Sequence, residues 1–201
     1  MAFVSPFIAN AQSAEELLDQ VSKKVQSYNN IVIDFKYEIS NKGENLSQET
    51  RGDVTLSGNK YLLNLLGTTQ IFDGNKLHVV LPEDEEINIS DADPESSLTP
   101  SKMLTFYKEG YKATMDIEKN VKGRKIQYVK LVPTSGSNEV KFILLGIDKE
   151  SKHIYDQILS QNNGTEIIVT VNQFKTNQPL SSTLFSFDKS KYPNYYINRL
   201  D

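Results

Sequence analysis

Cysteine and tryptophan are absent from this chain of 201 residues, and only two histidines, His78 and His153, occur. Without cysteine there are no disulfides, no thiolate metal ligands and no thiol nucleophile. Neither histidine has a second histidine within metal-ligand spacing, so no zinc site is expected. No apolar run approaches the roughly eighteen residues that a membrane-crossing helix needs. A basic surface is lacking as well: the formal net charge is −4 and the sequence pI ≈ 5.3. Nucleic acid, which is bound by neutralising phosphates, is excluded as a partner on that balance, and anionic membrane surfaces are disfavoured. There is no Gly-x-Ser-x-Gly elbow, no phosphate-cradling glycine loop followed by lysine and no dinucleotide fingerprint. Nothing nominates a carboxylate pair for glycoside hydrolysis. The expectation is a protein that is not an enzyme and carries neither cofactor nor metal.

What is present is apolar and periodic. A hydrophobic content of 38% suffices for one sizeable core, with ten Tyr and nine Phe as its aromatic part. No shift in composition divides the chain, so residues 12–201 read as a single domain. The preceding segment, 1–11, resembles the tail of a secretory signal, with Ala9-Asn10-Ala11 in a small-x-small cleavage pattern that would leave Gln12 first. An exported protein is expected.

Ser13-Ala14-Glu15-Glu16 is a capping box, and it opens a helix whose Leu17, Leu18, Val21, Val25 and Tyr28 share one face before Asn29-Asn30 ends it. From Ile31 the period becomes two. Ile31, Ile33, Phe35, Tyr37 and Ile39 alternate with more polar neighbours, and after the turn NKGEN a second strand follows with Gly52, Val54 and Leu56 on one side. Gly58-Asn59 marks a hairpin into Tyr61, Leu63 and Leu65, with Leu62, Asn64 and Leu66 opposite; this strand is expected to be the most buried of its neighbours. Asp73-Gly74-Asn75-Lys76 is a further hairpin between QIF and LHVVL.

The acidic run from Glu83 to Glu95 lacks the ligand spacing of a calcium loop and contains Pro94, so it reads as a solvated loop with a short edge strand at Ile87 and Ile89. Thr99 as N-cap and Pro100 at the first helical position start a second helix bearing Met103, Leu104, Phe106 and Tyr107. The remainder is strand and turn: YKATMDIE, KIQYVKLVP, VKFILLGID, HIYDQILSQ and TEIIVTVNQF. Every break is too short for a crossover helix, which predicts an antiparallel sheet. A single helical turn is expected over Leu180 to Leu184, then a last strand carrying Phe185 and Phe187 and a polar, aromatic tail, KSKYPNYYINRLD. His78 is read as a face residue of its strand and His153 as exposed.

The apolar positions of the strands and of the two helices exceed what one thin core layer needs, but a filled core and a ligand cavity have the same pattern. The order of elements resolves this by resemblance. IVIDFKYEI after the first helix, the RGDVTLSGNKYLLNL hairpin, QIFDGNKL, the helix start LTPSKML and the closing NQFKTN and Phe185-Ser186-Phe187 together resemble the periplasmic outer-membrane lipoprotein carrier family, LolA. The resemblance implies an α+β fold in which a strongly bent antiparallel sheet forms an unclosed β-barrel, with helices covering the open mouth. It implies a soluble, monomeric periplasmic carrier that shields the acyl chains of lipoproteins between the inner and outer membranes, served by an inner-membrane lipoprotein-releasing transporter and an outer-membrane acceptor. Phe35, Tyr61, Leu63 and Leu65 fall at cavity-facing positions, with Tyr37, Val54 and Leu56 beside them. Phe72, Leu77, Val79, Met103, Leu104 and Phe106 are implied as lining or lid. The family's latch arginine, just before the hairpin turn, is replaced here by Ser57, followed by Gly58 rather than proline. The absence of cysteine points to the soluble carrier rather than the lipid-anchored acceptor of the same fold. A sensor or regulatory module on this fold, binding lipid or a protein through the acidic loop, is the alternative.

Overall fold

The computed structural model describes residues 13–91, 102, 104–135 and 139–200. The helix α1 (Ala14–Gln26) starts where the capping box places it: Ser13 Oγ accepts from the Glu16 N–H at 3.1 Å, and Glu16 Oε2 accepts from the Ser13 N–H at 3.2 Å. Glu15 and Glu16 in its first turn and Lys23 and Lys24 in its last both oppose the helix dipole.

The strands are β1 (Ile31–Asn41), β2 (Leu46–Ser57), β3 (Lys60–Leu65), β4 (Thr68–Phe72), β5 (Lys76–Leu81) and β6 (Glu86–Asp91) in the first half. In the second half come β7 (Tyr111–Val121), β8 (Arg124–Pro133), β9 (Val140–Asp148), β10 (Ile154–Gln161), β11 (Thr165–Thr176) and β12 (Tyr196–Leu200). They form one 12-stranded sheet in the order β12-β6-β5-β4-β3-β2-β1-β11-β10-β9-β8-β7. Two hairpin series, β1 to β6 and β7 to β11, are thus joined by the long-range β1–β11 ladder. The end strands β12 and β7 do not pair with each other, so the barrel is unclosed.

Several expectations need correction. The sheet is not wholly antiparallel: β12 pairs with β6 in parallel, Tyr196 opposite Glu86 through Leu200 opposite Ser90. The residues expected as a tail therefore supply a strand, and Ile87 and Ile89, expected at an edge, are buried at 0% and 6% exposure. Phe185 and Phe187 lie outside any strand, and Leu180 to Leu184 contains a turn, closed by Leu184 N–H to Ser181 O, rather than a helical turn. Leu66 does not continue β3. It turns the chain with Gly67, both at positive φ (52° and 75°), and is 58% exposed. A leucine in that conformation costs roughly 1–2 kcal/mol, which the β3–β4 ladder on either side offsets. Nor is β3 the most buried strand of its group, since only Tyr61 in it is fully buried.

Among the described residues there is one α-helix, so helices covering the mouth are not seen. The helix start at Thr99-Pro100, with Met103, lies outside the described residues, as do the segment 1–11 and the end of the acidic run; Phe106–Lys108 forms a short 3-10 turn.

The helix packs on one half of the sheet's inner face. Leu17, Leu18 and Val21 bury against Val129, Leu131, Ile143, Leu145 and Ile147 of β8 and β9, with Tyr107 beside them. Full burial of each such side chain contributes about 1.5–3 kcal/mol. The other half of the same face, carried by β1 to β4, is a second cluster that includes Ile33, Phe35, Val54 and Tyr61, which α1 meets only through Val25 among the described residues. On the outer face, Val80, Ile87 and Ile89 are covered by Phe187, Tyr192, Tyr195 and Ile197 from β12 and the segment leading into it. His78 shares this strip, its ring stacked on Phe187 at 4.7 Å.

Candidate functional site

The half of the inner face that α1 leaves free contains a cavity of ≈ 160 Å³. Strand parity aims its lining: Ile33, Phe35 and Tyr37 alternate along β1, Val54 and Leu56 along β2, Leu63 and Leu65 along β3. The facing wall is Val169, Val171 and Phe174 of β11 with Ile154 and Gln157 of β10, and Leu104 closes it from above the sheet. Twelve of these thirteen residues are apolar or aromatic; Gln157 is the exception. The registers Ile33 opposite Val54, Val54 opposite Leu63 and Ile33 opposite Phe174 bring these side chains to one surface.

Of the residues singled out in the sequence, Phe35, Tyr37, Val54, Leu56, Leu63, Leu65 and Leu104 line the cavity together. Tyr61 and Phe72 belong to the same cluster but are closed off within it, at 5% and 1% exposure, with ring centroids 5.6 Å apart. Leu77 packs on that cluster from β5 without reaching the cavity. Two lie elsewhere on the described surface. Val79 is not among the cavity's lining, because β5 lies beyond β4 at the margin of the cluster. Phe106 packs on the α1 side, its ring edge-on to Tyr107 and Tyr111. Met103 lies outside the described residues.

Ile33, Ile154, Gln157, Val169, Val171 and Phe174 line the cavity without having been expected there. Alternation in IVIDF and TEIIVTVNQF marks their faces, but only the β1–β11 pairing brings those faces together.

The rim is held by polar contacts. Ser57, at the position of the family's arginine, donates from Oγ to the Asn29 carbonyl at 3.2 Å, tying the β2–β3 hairpin to the segment between α1 and β1. Just after α1, Tyr28 Oη and His153 Nε2 are 2.8 Å apart, and the His153 ring stacks on Phe174 at 4.1 Å. His153 is thus half-buried rather than exposed. Burial, then the nearby Lys24 charge, hold it below the usual histidine range.

No group of three or more His, Cys, Asp or Glu that could hold a metal ion is found among the described residues. No helix there is long and apolar enough to cross a membrane. The arrangement can take up an apolar guest and exclude water from it.

The family described as outer membrane lipoprotein carrier protein LolA matches residues 26–188 of the chain. No curated protein matches it. Among solved structures, an uncharacterised conserved protein from Thermus thermophilus superposes with a TM-score of 0.59 at 12% identity, covering 93% of this chain and 99% of that one. The lipoprotein LppX from Mycobacterium tuberculosis gives a TM-score of 0.51 at 15% identity, covering 83% and 98%. A LolA superfamily protein from Nitrosomonas europaea gives 0.46 at 11% identity, covering 88% and 99%.

Proposed function

The chain belongs to the LolA family of outer membrane lipoprotein carriers, and from that premise we propose that it is a soluble periplasmic carrier that shields the acyl chains of lipoproteins on their way from the inner to the outer membrane. The observation that carries this reading is the half of the inner face that the body of α1 does not cover, where twelve of thirteen side chains around one cavity are apolar or aromatic. Apolar cavities of about 150 Å³ stay dry and admit a guest of benzene size. At ≈ 160 Å³ this cavity holds the end of a chain, and a whole chain requires its cover, including Leu104, to shift outward.

The energetics suit a carrier. Each buried methylene contributes about 0.8 kcal/mol, so ten contribute about 8 kcal/mol, the free energy of a micromolar complex. Such a complex is stable against water and still reversible. It needs no catalytic group, no cofactor and no metal. A membrane transporter would load the protein and an outer-membrane acceptor would unload it, with a monomer as the working unit.

The test is mass spectrometry of solvent-extracted protein purified from a periplasmic fraction, together with displacement of a fluorescent acyl probe. Bound acylated species and probe displacement by added lipid are expected. Extracts free of lipid and an undisplaced probe would sink the carrier reading.

A further inference from the structure

Beside the apolar cavity lies an open polar pocket of ≈ 490 Å³, and the two share the side chains of Ile154, Val171 and Phe174 as a common wall. That wall is thin for a topological reason. The β10–β11 ladder runs from Ser160 opposite Glu166 only as far as Asp156 opposite Thr170. Beyond it, β11 continues with β1 while Ile154 pairs with Ile147 of β9, so the sheet forks. The β10–β11 ladder does not pair Ile154 with Val171, and the side chains of Ile154, Val171 and Phe174 border both spaces.

The polar side of the fork has its own chemistry. In the β1–β11 register Phe35 faces Val171 and Asp34 faces Gln173, which leaves Asn172 as the extra residue of a bulge. Bulges re-aim side chains. Asn172 is exposed and lines the polar pocket, and its side chain makes no hydrogen bond among the described residues. Arg124 lines it too, with Nε given to Asp148 Oδ2 at 2.6 Å, its guanidinium over the Tyr155 ring, and no other side-chain hydrogen bond among the described residues. Glu150 and Asp148 put two carboxylates in the lining against this one guanidinium, which is already paired. The pocket therefore offers hydrogen-bond donors without a net positive charge.

We propose that this pocket is a head-group subsite for an uncharged, acceptor-rich linkage, a glycerol ester or amide, whose acyl chain passes the fork into the apolar cavity. The inference rests on the acyl-binding reading above and adds where the polar end lies and which chemistry it has. A phosphate head is disfavoured, because two carboxylates line the pocket against one guanidinium whose charge Asp148 already balances. Asn172 is the contact residue; Phe174, with the His153 ring stacked on it, forms the threshold.

The test compares decane, 1-decanoylglycerol and 1-decanoylglycerol 3-phosphate by displacement of a fluorescent acyl probe from wild-type protein and Asn172→Ala. One net hydrogen bond contributes about 0.5–1.5 kcal/mol, so the substitution should weaken 1-decanoylglycerol about three- to ten-fold and leave decane unchanged. In wild-type protein, titration with 1-decanoylglycerol should move the Asn172 side-chain amide resonances, and decane should not. Equal effects of Asn172→Ala on both ligands, or none on either, would overturn the subsite while leaving the cavity standing. Tighter binding of the phosphate would overturn its uncharged class. Failure of decane itself to bind would overturn the acyl-cavity reading, and the subsite with it.

Discussion

The ring of Phe35 lies over the Cα of Gly52, its partner across the β1–β2 ladder, so closely that a Cβ on Gly52 would stand 2.6 Å from Phe35 Cζ and 2.7 Å from the Asn64 carbonyl oxygen. The missing side chain is what lets the ring lie flat against the cavity floor. Gly52→Ala should force the ring aside at a cost of about 1–3 kcal/mol, or about 2–4 °C in Tm for each kcal/mol in a chain of this size. Thermal unfolding and acyl-probe titration measure both effects. An alanine variant with wild-type Tm and wild-type probe affinity would show that the glycine does not set the ring's position.

Leu63 faces the cavity from β3 while remaining partly accessible. Leu63→Glu places a carboxylate where an acyl chain would lie, and a buried unpaired charge costs several kcal/mol. Probe affinity should fall at least ten-fold, with the circular dichroism spectrum of the sheet retained. Loss of the folded spectrum instead would assign Leu63 to ordinary core.

His153 and His78 are both held below the ordinary histidine value of 6.5, first of all by burial. For a histidine whose folded pKa is depressed, the unfolded chain takes up the proton first as pH falls. Stability is therefore fully present above pH 6.5 and is lost as the pH drops toward the folded values. Around His153 the charged groups are Lys24, Asp148 and Arg124, and the hydroxyl of Tyr28 sits at its Nε2. Denaturant midpoints measured from pH 8 to pH 5 should decline below 6.5. His153→Gln should flatten part of that decline, and an unchanged slope would remove His153 from the account.

Asp156 is buried on the outer face with its Oδ2 accepting from Tyr128 Oη at 2.8 Å, and burial raises it above the ordinary value of 3.8. The sign is opposite to that of the histidines. A carboxyl with a raised folded pKa favours folding at low pH and loses that contribution as pH rises from 3.8 through the folded value. Asp156→Asn keeps an acceptor for Tyr128 and removes the charge. It should raise Tm at pH 7 and leave it unchanged near pH 3; a lower Tm at pH 7 would mean that the carboxylate is well solvated or paired there.

The local features are legible in the sequence because they depend on neighbours in the chain. The Ser13 to Glu16 capping box, the period of two from Ile31, and the turns at Gly58-Asn59 and Asp73 to Lys76 all stand where residue chemistry places them. So does the parity that turns Phe35, Val54 and Leu63 to one face. Leu66 departs from its expected place in β3 because an apolar residue in a left-handed turn carries no local signal; only the β3–β4 pairing holds it there. The same limit applies at the far end, where Tyr196 to Leu200 has little strand pattern and becomes β12 because β6 offers an open edge.

Which apolar residues are covered depends on contacts that no local pattern records. Leu145 and Phe174 lie on the same inner face, yet α1 rests on the former and leaves the latter at a cavity. Burial is settled by contacts between segments far apart in the chain, and alternation records which way a side chain points without recording what it meets. The β1–β11 ladder brings Ile33 to Phe174 across more than half the sequence, and the fork beside it is set by where that ladder parts from β10. Alternation along the chain is enough to define a sheet with a greasy face; long-range pairing sets which half of that face α1 covers and which half borders the cavity.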